Sequence, residues 1–290
     1  MYALSIHDIS MSYGSVQTLN NISFEVEQGE LFGLIGPDGA GKTTLFRILT
    51  TLLLADKGTA NVAGMDVVKD YRKIRNSIGY MPGRFSLYQD LTVEENLAFY
   101  ATIFHTTIEE NYSLVKDIYE QIEPFKKRRA GKLSGGMKQK LALCCALIHK
   151  PIVLFLDEPT TGVDPVSRKE LWEMLKNLKE QGITIIVSTP YMDEASLCDR
   201  IALMQSGKIL SVDTPAHFAA NYPKKLYAVE AESNRSLLKE LRNHPSVCSV
   251  YSFGQSLHIT FNDLPDNTIS GLKEVQPTIE DCFIQLRTEY

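Results

Sequence analysis

The sequence predicts an α/β fold built on a parallel sheet, with a small α+β unit appended at its C-terminal end. Two continuous, β-branched apolar runs, 152–156 and 183–187, flank a stretch of helical period at 165–181. Strands of that kind belong to sheets covered on both faces. A third apolar run, 30–35, leads directly into Gly36-Pro37-Asp38-Gly39-Ala40-Gly41-Lys42-Thr43-Thr44, which fits the phosphate-loop pattern G-x-x-x-x-G-K-[ST]. Beyond Pro215 the pattern becomes one of short strands and helices. A chain of 290 residues exceeds one modal domain, so the natural division is a large domain at 1–215 and a small one at 216–290.

Residues 3–9 and 22–26 alternate apolar and polar as edge strands do. The stretch 42–54 continues from the loop at helical period, giving the strand–loop–helix context that a phosphate loop requires. A short strand at 78–81 ends in Pro82-Gly83. From Thr92 to Lys150 the pattern is helical, with helices at 93–104 and 108–122 and a third opening at Ser134. Strands at 201–204 and 208–212, joined by Ser206-Gly207, form a closing hairpin. The tail reads as a strand at 225–230, a helix at 236–243, strands at 248–253 and 256–261, and a terminal helix from Ile279. No internal repeat or low-complexity segment is visible.

Apolar residues make up 44% of the chain and charged residues 22%, close to globular averages. The net charge of −5 argues against a nucleic-acid partner, because such binders carry a basic face. The longest apolar run, 45–55, contains Arg47 and two threonines and is too short to span a bilayer. The N-terminus has no basic segment followed by an apolar one, so no secretory signal is expected. The five cysteines show no C-x-x-C spacing and read as reduced, mostly buried residues. The expectation is a soluble, intracellular protein.

Three stretches carry chemistry. In the phosphate loop, backbone N–H groups and the start of the following helix attract phosphate. Lys42 would reach the β- and γ-phosphates and the Thr43 hydroxyl would ligate Mg²⁺; the bland alternative is a glycine-rich turn. The strand at 154–156 ends in Asp157 and Glu158. Asp157 stands where phosphate-loop enzymes hold Mg²⁺, and Glu158 can polarise the attacking water. Acids also end strands simply to cap the next helix, so this pair gains its meaning from the loop. In Leu133-Ser134-Gly135-Gly136-Met137-Lys138-Gln139, Ser134 reads equally as an ordinary N-cap. The two glycines behind it cost about 1 kcal/mol each in helix propensity, which a phosphate docked on the helix start would explain.

In this order, the phosphate loop, Leu-Ser-Gly-Gly-Met-Lys-Gln, Leu-Phe-Leu-Asp-Glu-Pro-Thr and Thr-Gly-Val-Asp resemble the nucleotide-binding subunit of ABC transporters over residues 1 to about 215. The resemblance implies the ABC ATPase fold: a parallel core, N-terminal antiparallel strands and a helical subdomain at about 86–150. It also implies that ATP is sandwiched between two such domains, with Ser134, Gly135, Gly136, Met137 and Gln139 acting on the partner's nucleotide. Tyr13 matches the aromatic that stacks on adenine, and Asp164 matches the inter-subunit aspartate. The segment 85–96 would meet an integral-membrane permease, holding the chain on the cytoplasmic face; for Phe85, Leu87 and Tyr88 the other reading is core packing. The tail, ending Pro277-Thr278-Ile279-Glu280-Asp281-Cys282-Phe283, is similar to extensions in drug-resistance and polysaccharide exporters.

Two positions depart from that pattern. Gly83 stands where the family has a glutamine that touches Mg²⁺ and water, and Pro190 stands where it has a switch histidine. Proline offers neither an N–H nor a side-chain donor. Arg84 is a candidate substitute cation, or else a solvated or subunit-facing residue. Losing one preorganised polar group costs about 10²–10³ in rate. The sequence therefore predicts a weakened own site, paired in a heterodimer with a second ABC ATPase. The alternatives are a non-transport ABC ATPase and a nucleotide-sensing regulator with little turnover.

Overall fold

Two long strands, β1 (Tyr2–Tyr13) and β2 (Val16–Glu27), form an antiparallel hairpin, with Leu4 opposite Val26 and Tyr13 opposite Val16. In this computed structural model residues 1–230, 234–265 and 269–289 are described, and the chain divides into the units Met1–Pro215 and Ala216–Tyr290. In the first unit β3 (Leu31–Ile35) is wholly buried and leads through the loop into α1 (Lys42–Leu49). Then follow β4 (Lys57–Val62), β5 (Met65–Asp66), α2 (Tyr71–Ser77) and β6 (Ile78–Met81). Next come α3 (Val93–Ile103), α4 (Tyr112–Tyr119) and α5 (Gly135–Leu147). The unit closes with β7 (Val153–Asp157), α6 (Pro165–Glu180), β8 (Thr184–Thr189), β9 (Arg200–Gln205) and β10 (Lys208–Asp213).

The central sheet has the order β10-β9-β3-β8-β7-β6. Its members pair in parallel except for β10, which runs antiparallel to β9. The register aligns Ile35 with Thr189, Asp157 with Ser188 and Met81 with Leu156. The segments opening at Gly36, Pro82, Glu158 and Pro190 therefore leave the sheet at one edge, the carboxyl ends of the strands, where open α/β sheets take their ligands. The hairpin joins β4 and β5 in a second, antiparallel sheet of order β2-β1-β4-β5. Between the layers lies a core around Phe32, Phe46 and Phe155, each fully buried.

Two expectations change. The helix read over 42–54 stops at Leu49. Thr50 turns its hydroxyl back to the Phe46 carbonyl at 2.8 Å, Thr51 adopts a φ of 64°, and the N–H groups of Leu52 and Leu53 both return to Arg47 O. A threonine hydroxyl bonded to its own helix offers the backbone an alternative to the next turn. The helix read over 108–122 is confined to Tyr112–Tyr119 and followed by a 3₁₀ turn at Glu123–Phe125.

The second unit begins in α7 (Pro215–Ala220) and continues through β11 (Leu226–Val229), α8 (Asn234–Arg242), β12 (Val247–Phe253), β13 (Ser256–Phe261), β14 (Lys273–Val275) and α9 (Ile279–Glu289). Its four strands pair antiparallel in the order β12-β13-β11-β14. A separate core gathers Tyr227, Val229, Leu241, Leu257, Ile259 and Phe261. Asp281, on α9 and fully buried, accepts from Tyr251 and His258 Nδ1 on one oxygen and from the Thr278 N–H and hydroxyl on the other, all at 2.7 Å.

Candidate nucleotide site

The phosphate loop is shaped by glycines that cannot be replaced in place. Gly41, the residue before α1, has a φ of 109°, and a Cβ there would lie 2.8 Å from Met204 Cε and 2.9 Å from Leu19 Cδ2. A Cβ on Gly36 would run into the Met204 carbonyl oxygen. No side chain caps the start of α1, whereas Thr92 and Asp164 cap α3 and α6. An uncapped helix start that opens on a loop leaves its N–H groups and positive dipole end available to an anion. Thr18, residues 39–44 and Glu158 line a hollow of about 150 Å³ at this point. A larger hollow of about 530 Å³ lies at the opposite, amino ends of β7 and β8, beside Lys150, Pro151 and Ile152. It has no such loop, so chemistry and not size marks the site.

Lys42 is buried, 3% exposed, and its ammonium is fully engaged inside the cradle. It donates to the carbonyls of Gly36 at 2.8 Å and Pro37 at 3.1 Å and pairs with Glu158 Oε1 at 3.2 Å. Asp157 is buried, and Ser188 Oγ donates to its carboxylate at 2.6 Å. The Ser188 hydroxyl also accepts from the Glu158 N–H at 3.1 Å, so one side chain positions both acids. Glu158 is half-buried and has a φ of 51°, a strained conformation worth about 1–3 kcal/mol that only its surroundings can enforce. Burial, with the Asp157 charge beside it, pushes the Tyr80 hydroxyl up to about 12.

Mg²⁺ suits this donor set. Among the described residues no group of three or more His, Cys, Asp or Glu side chains gathers to hold a metal. Mg²⁺ binds through one or two protein oxygens plus substrate phosphates and retained waters. Thr43, half-exposed, lines the hollow, and Asp157, buried at the end of β7 and next to Glu158 in sequence, would complete that minimal set.

The second motif forms a different face. Ser134 caps α5, accepting the Met137 N–H at 3.4 Å, and Asp164 caps α6, accepting from Val166 at 3.1 Å and Ser167 at 3.0 Å. The Ser167 N–H, then its hydroxyl, hold the Asp164 carboxyl below the ordinary carboxylate range. The two helix starts touch: a Cβ on Gly136 would lie 2.7 Å from Ser167 Oγ, and one on Gly135 would lie 3.3 Å from Gly162 O. Gly136 thus has a packing reason within the chain, while Gly135 is exposed. Met137 and Gln139 are half-buried. None of these residues lines the phosphate hollow.

Tyr13 is 47% exposed at the end of β1. Gly83 is exposed just past β6, where a Cβ would stand 3.1 Å from Asp157 O. Pro190 directly follows β8. Leu87 is packed inside while Tyr88 is 51% exposed. Sequence reasoning missed Ser188 and Glu194, both buried polar residues at this edge. For Ser188 the one signal was a serine ending an apolar β-branched run; Glu194, between Asp193 and Ser196, carried none.

The model of the ABC transporter family matches residues 19–161. Over 90% of the chain there is 41% identity to YbhF of Escherichia coli strain K12, described as a probable multidrug ABC transporter ATP-binding protein; the chain spans 47% of that relative's length. The Nod factor export ATP-binding protein I of Rhizobium sp. strain N33 is 35% identical over 98% of the chain and 96% of its own length. A solved ATP-binding subunit of an ABC transporter superposes on 76% of the chain and 93% of its own length, with a TM-score of 0.69 and 26% identity.

Proposed function

Because this chain belongs to the ABC transporter family of ATP-binding proteins, we propose that it is the ATP-binding subunit of an exporter, hydrolysing MgATP and working with a separate membrane permease. The observation that carries the reading is the cradle itself, with Lys42 engaged by Glu158 and the loop carbonyls at the carboxyl edge of the sheet. Residues Gly36 to Thr44 hold the phosphates through backbone N–H groups and the start of α1. Lys42 turns from Glu158 to the β- and γ-phosphates, and Glu158, released by that exchange, polarises the attacking water. Thr43 and Asp157 would hold Mg²⁺, whose charge would offset that of the phosphates. Tyr13 stacks on adenine.

Ser134, Gly135, Gly136, Met137 and Gln139 serve a nucleotide on a second ATPase subunit, with Asp164 at the shared face. The exposure of Gly135 and Asp164 and their separation from the chain's own cradle support this division. Gly83 and Pro190 leave the own site short of two donors, so a heterodimer with a second ABC ATPase is favoured. Among the described residues no helix is long and apolar enough to cross a membrane, in keeping with attachment to the cytoplasmic face through a permease. The exposed Tyr88, within 85–96, belongs to the docking face. Export is named for the Rhizobium relative that matches 98% of this chain, and multidrug transport for the Escherichia coli one.

The test is co-purification with the products of neighbouring genes, followed by ATPase assay of each part alone and together. The isolated chain binds MgATP and turns it over slowly. In the complex Gly135→Asp abolishes hydrolysis, because it sets a carboxylate against the partner's phosphates where water is excluded. Glu158→Gln costs the complex far less. Equal loss from both variants would show that this chain's own site is the working one.

A further inference from the structure

Glu194 is buried, 2% exposed, and takes no part in the scheme above. It lies on the 3₁₀ turn Met192–Leu197 that follows Pro190. Its Oε2 accepts from Thr189 Oγ1 at 2.6 Å and from Thr160 Oγ1 at 3.1 Å. Its Oε1 faces Arg168 Nε at 3.7 Å. These partners come from three places: Thr189 ends β8, Thr160 stands two residues after Glu158, and Arg168 lies on α6 four residues after Asp164.

The contacts continue outward from there. The Thr189 hydroxyl also accepts the Tyr191 N–H at 3.1 Å, bridging across Pro190. The Thr189 carbonyl accepts the N–H of Gly36, the first residue of the phosphate loop, at 3.2 Å. The Arg168 guanidinium covers the Tyr191 ring at 4.3 Å. One carboxylate thus joins the start of the phosphate loop, the step at Pro190 and the turn that runs from Glu158 to Asp164. Packing alone would be served better by an apolar side chain, because a buried charge is costly unless paired. The strained φ of Glu158 also needs support from outside the residue; Ser188 holds its N–H, and Glu194 anchors Thr160 two residues downstream.

We propose that Glu194 is a positioning residue for ATP hydrolysis: it fixes Thr160 and Thr189 so that Glu158, and the helix start bearing Asp164, stay registered to the phosphate loop. The proposal rests on the ATPase reading of the cradle and is independent of whether the two half-sites are unequal.

The test uses the full chain with Glu194→Ala, Glu194→Gln and the near-isosteric Thr160→Val. The reporter is Trp172, the sequence's single tryptophan, buried on α6 one turn beyond Arg168. Three quantities are read: MgADP affinity by calorimetry, turnover at saturating MgATP, and the change in Trp172 emission on adding MgATP. Glu194→Ala and Thr160→Val leave MgADP affinity within about twofold, lower turnover by about tenfold or more, and remove the emission change. Glu194→Gln restores most of both, since its amide oxygen still accepts from the two hydroxyls. Adding Thr160→Val to Glu194→Ala costs nothing further, as expected for groups acting as one unit.

Unchanged turnover and emission in the variants would overturn the proposal. So would affinity and turnover falling together with the melting temperature, which marks a structural role only, and so would a wild-type chain whose emission ignores MgATP. Should Glu194→Ala fail to fold, Thr160→Val decides alone. Fast wild-type turnover would count against the unequal half-sites, yet it leaves the ratios between variants readable.

Discussion

Two carboxylates in this molecule stand in opposite conditions. Asp281 in the C-terminal unit is fully buried and accepts four hydrogen bonds at 2.7 Å from three residues. Glu158 is half-buried, strained in φ, and held by one ion pair and a 3.4 Å contact from the Thr161 hydroxyl. A saturated carboxylate fixes a structure, because every partner would be orphaned by its loss. A carboxylate kept accessible, with an exchangeable partner, can take part in a reaction.

The largest effect that would break this contrast belongs to Asp281. Asp281→Ala leaves the Tyr251 hydroxyl, His258 and the Thr278 N–H without their acceptor and should cost about 4 kcal/mol of stability in the C-terminal unit, read by chemical denaturation, with MgATP affinity unchanged. The contribution is also acid-sensitive. Burial raises the Asp281 carboxyl, but the Thr278 N–H and then the hydrogen bonds from Tyr251, Thr278 and His258 outweigh it and hold it below the ordinary range. A depressed folded value gives stability that is present above the unfolded value of about 3.9 and lost as pH falls through the folded one. Acid titration of the wild-type unit should therefore show a loss below about pH 4 that Asp281→Ala no longer shows. Loss of MgATP binding in the same variant would deny the independence of the two regions.

Next in size is Lys42→Ala. It removes the ammonium that exchanges Glu158 for phosphate, and the MgATP dissociation constant should rise by about 100-fold, or roughly 3 kcal/mol, in calorimetry. The fold should hold, since the close approaches at Gly36 and Gly41 remain even though the loop loses the two hydrogen bonds that Lys42 makes to it. A variant that binds ATP normally would remove the cradle from the account.

The cradle was legible in the sequence because its determinants are local. Gly36, Gly41 and Lys42 owe their roles to loop shape, and the runs now seen as β3, β7 and β8 are apolar enough to declare burial on both faces. β4 was not legible. Its sequence, Lys57-Gly58-Thr59-Ala60-Asn61-Val62, has weak strand propensity, and it is a strand only because Leu4 to His7 of β1 pair with it. Gly58, at a φ of 89°, lets the Asp8 backbone pass where a Cβ would clash. Ser188 and Glu194 were illegible for a related reason. Ser188 meets Asp157 from 31 residues away, and Glu194, though near Thr189, reaches Thr160 across 34.

A smaller effect sharpens the contrast from the other side. Glu158→Gln removes the charge that competes with nucleotide for Lys42, so MgADP should bind about threefold tighter to the isolated chain. ADP is used because it is not consumed, and weaker binding would mean that the ion pair assists the nucleotide instead of competing with it. Smallest is Asp164→Ala, which removes a cap on an exposed helix start. Its melting temperature should fall slightly at neutral pH. The difference should vanish in acid, because the Asp164 carboxyl, held low by the Ser167 N–H and hydroxyl, contributes only while ionised.

The ion pair inside the cradle also bears on selectivity in a crowded solution. Lys42 is already paired at 3.2 Å with the chain's own Glu158, so an anion at the loop would meet the uncapped start of α1 but no free ammonium. Inorganic phosphate, or a metabolite with a single phosphate, must break that pair for the sake of one contact. A nucleoside triphosphate would break it once and gain contacts along the whole loop from Gly36 to Thr44. If the loop is the phosphate cradle proposed above, the internal carboxylate would set a threshold that favours ligands with a longer phosphate chain over short anions.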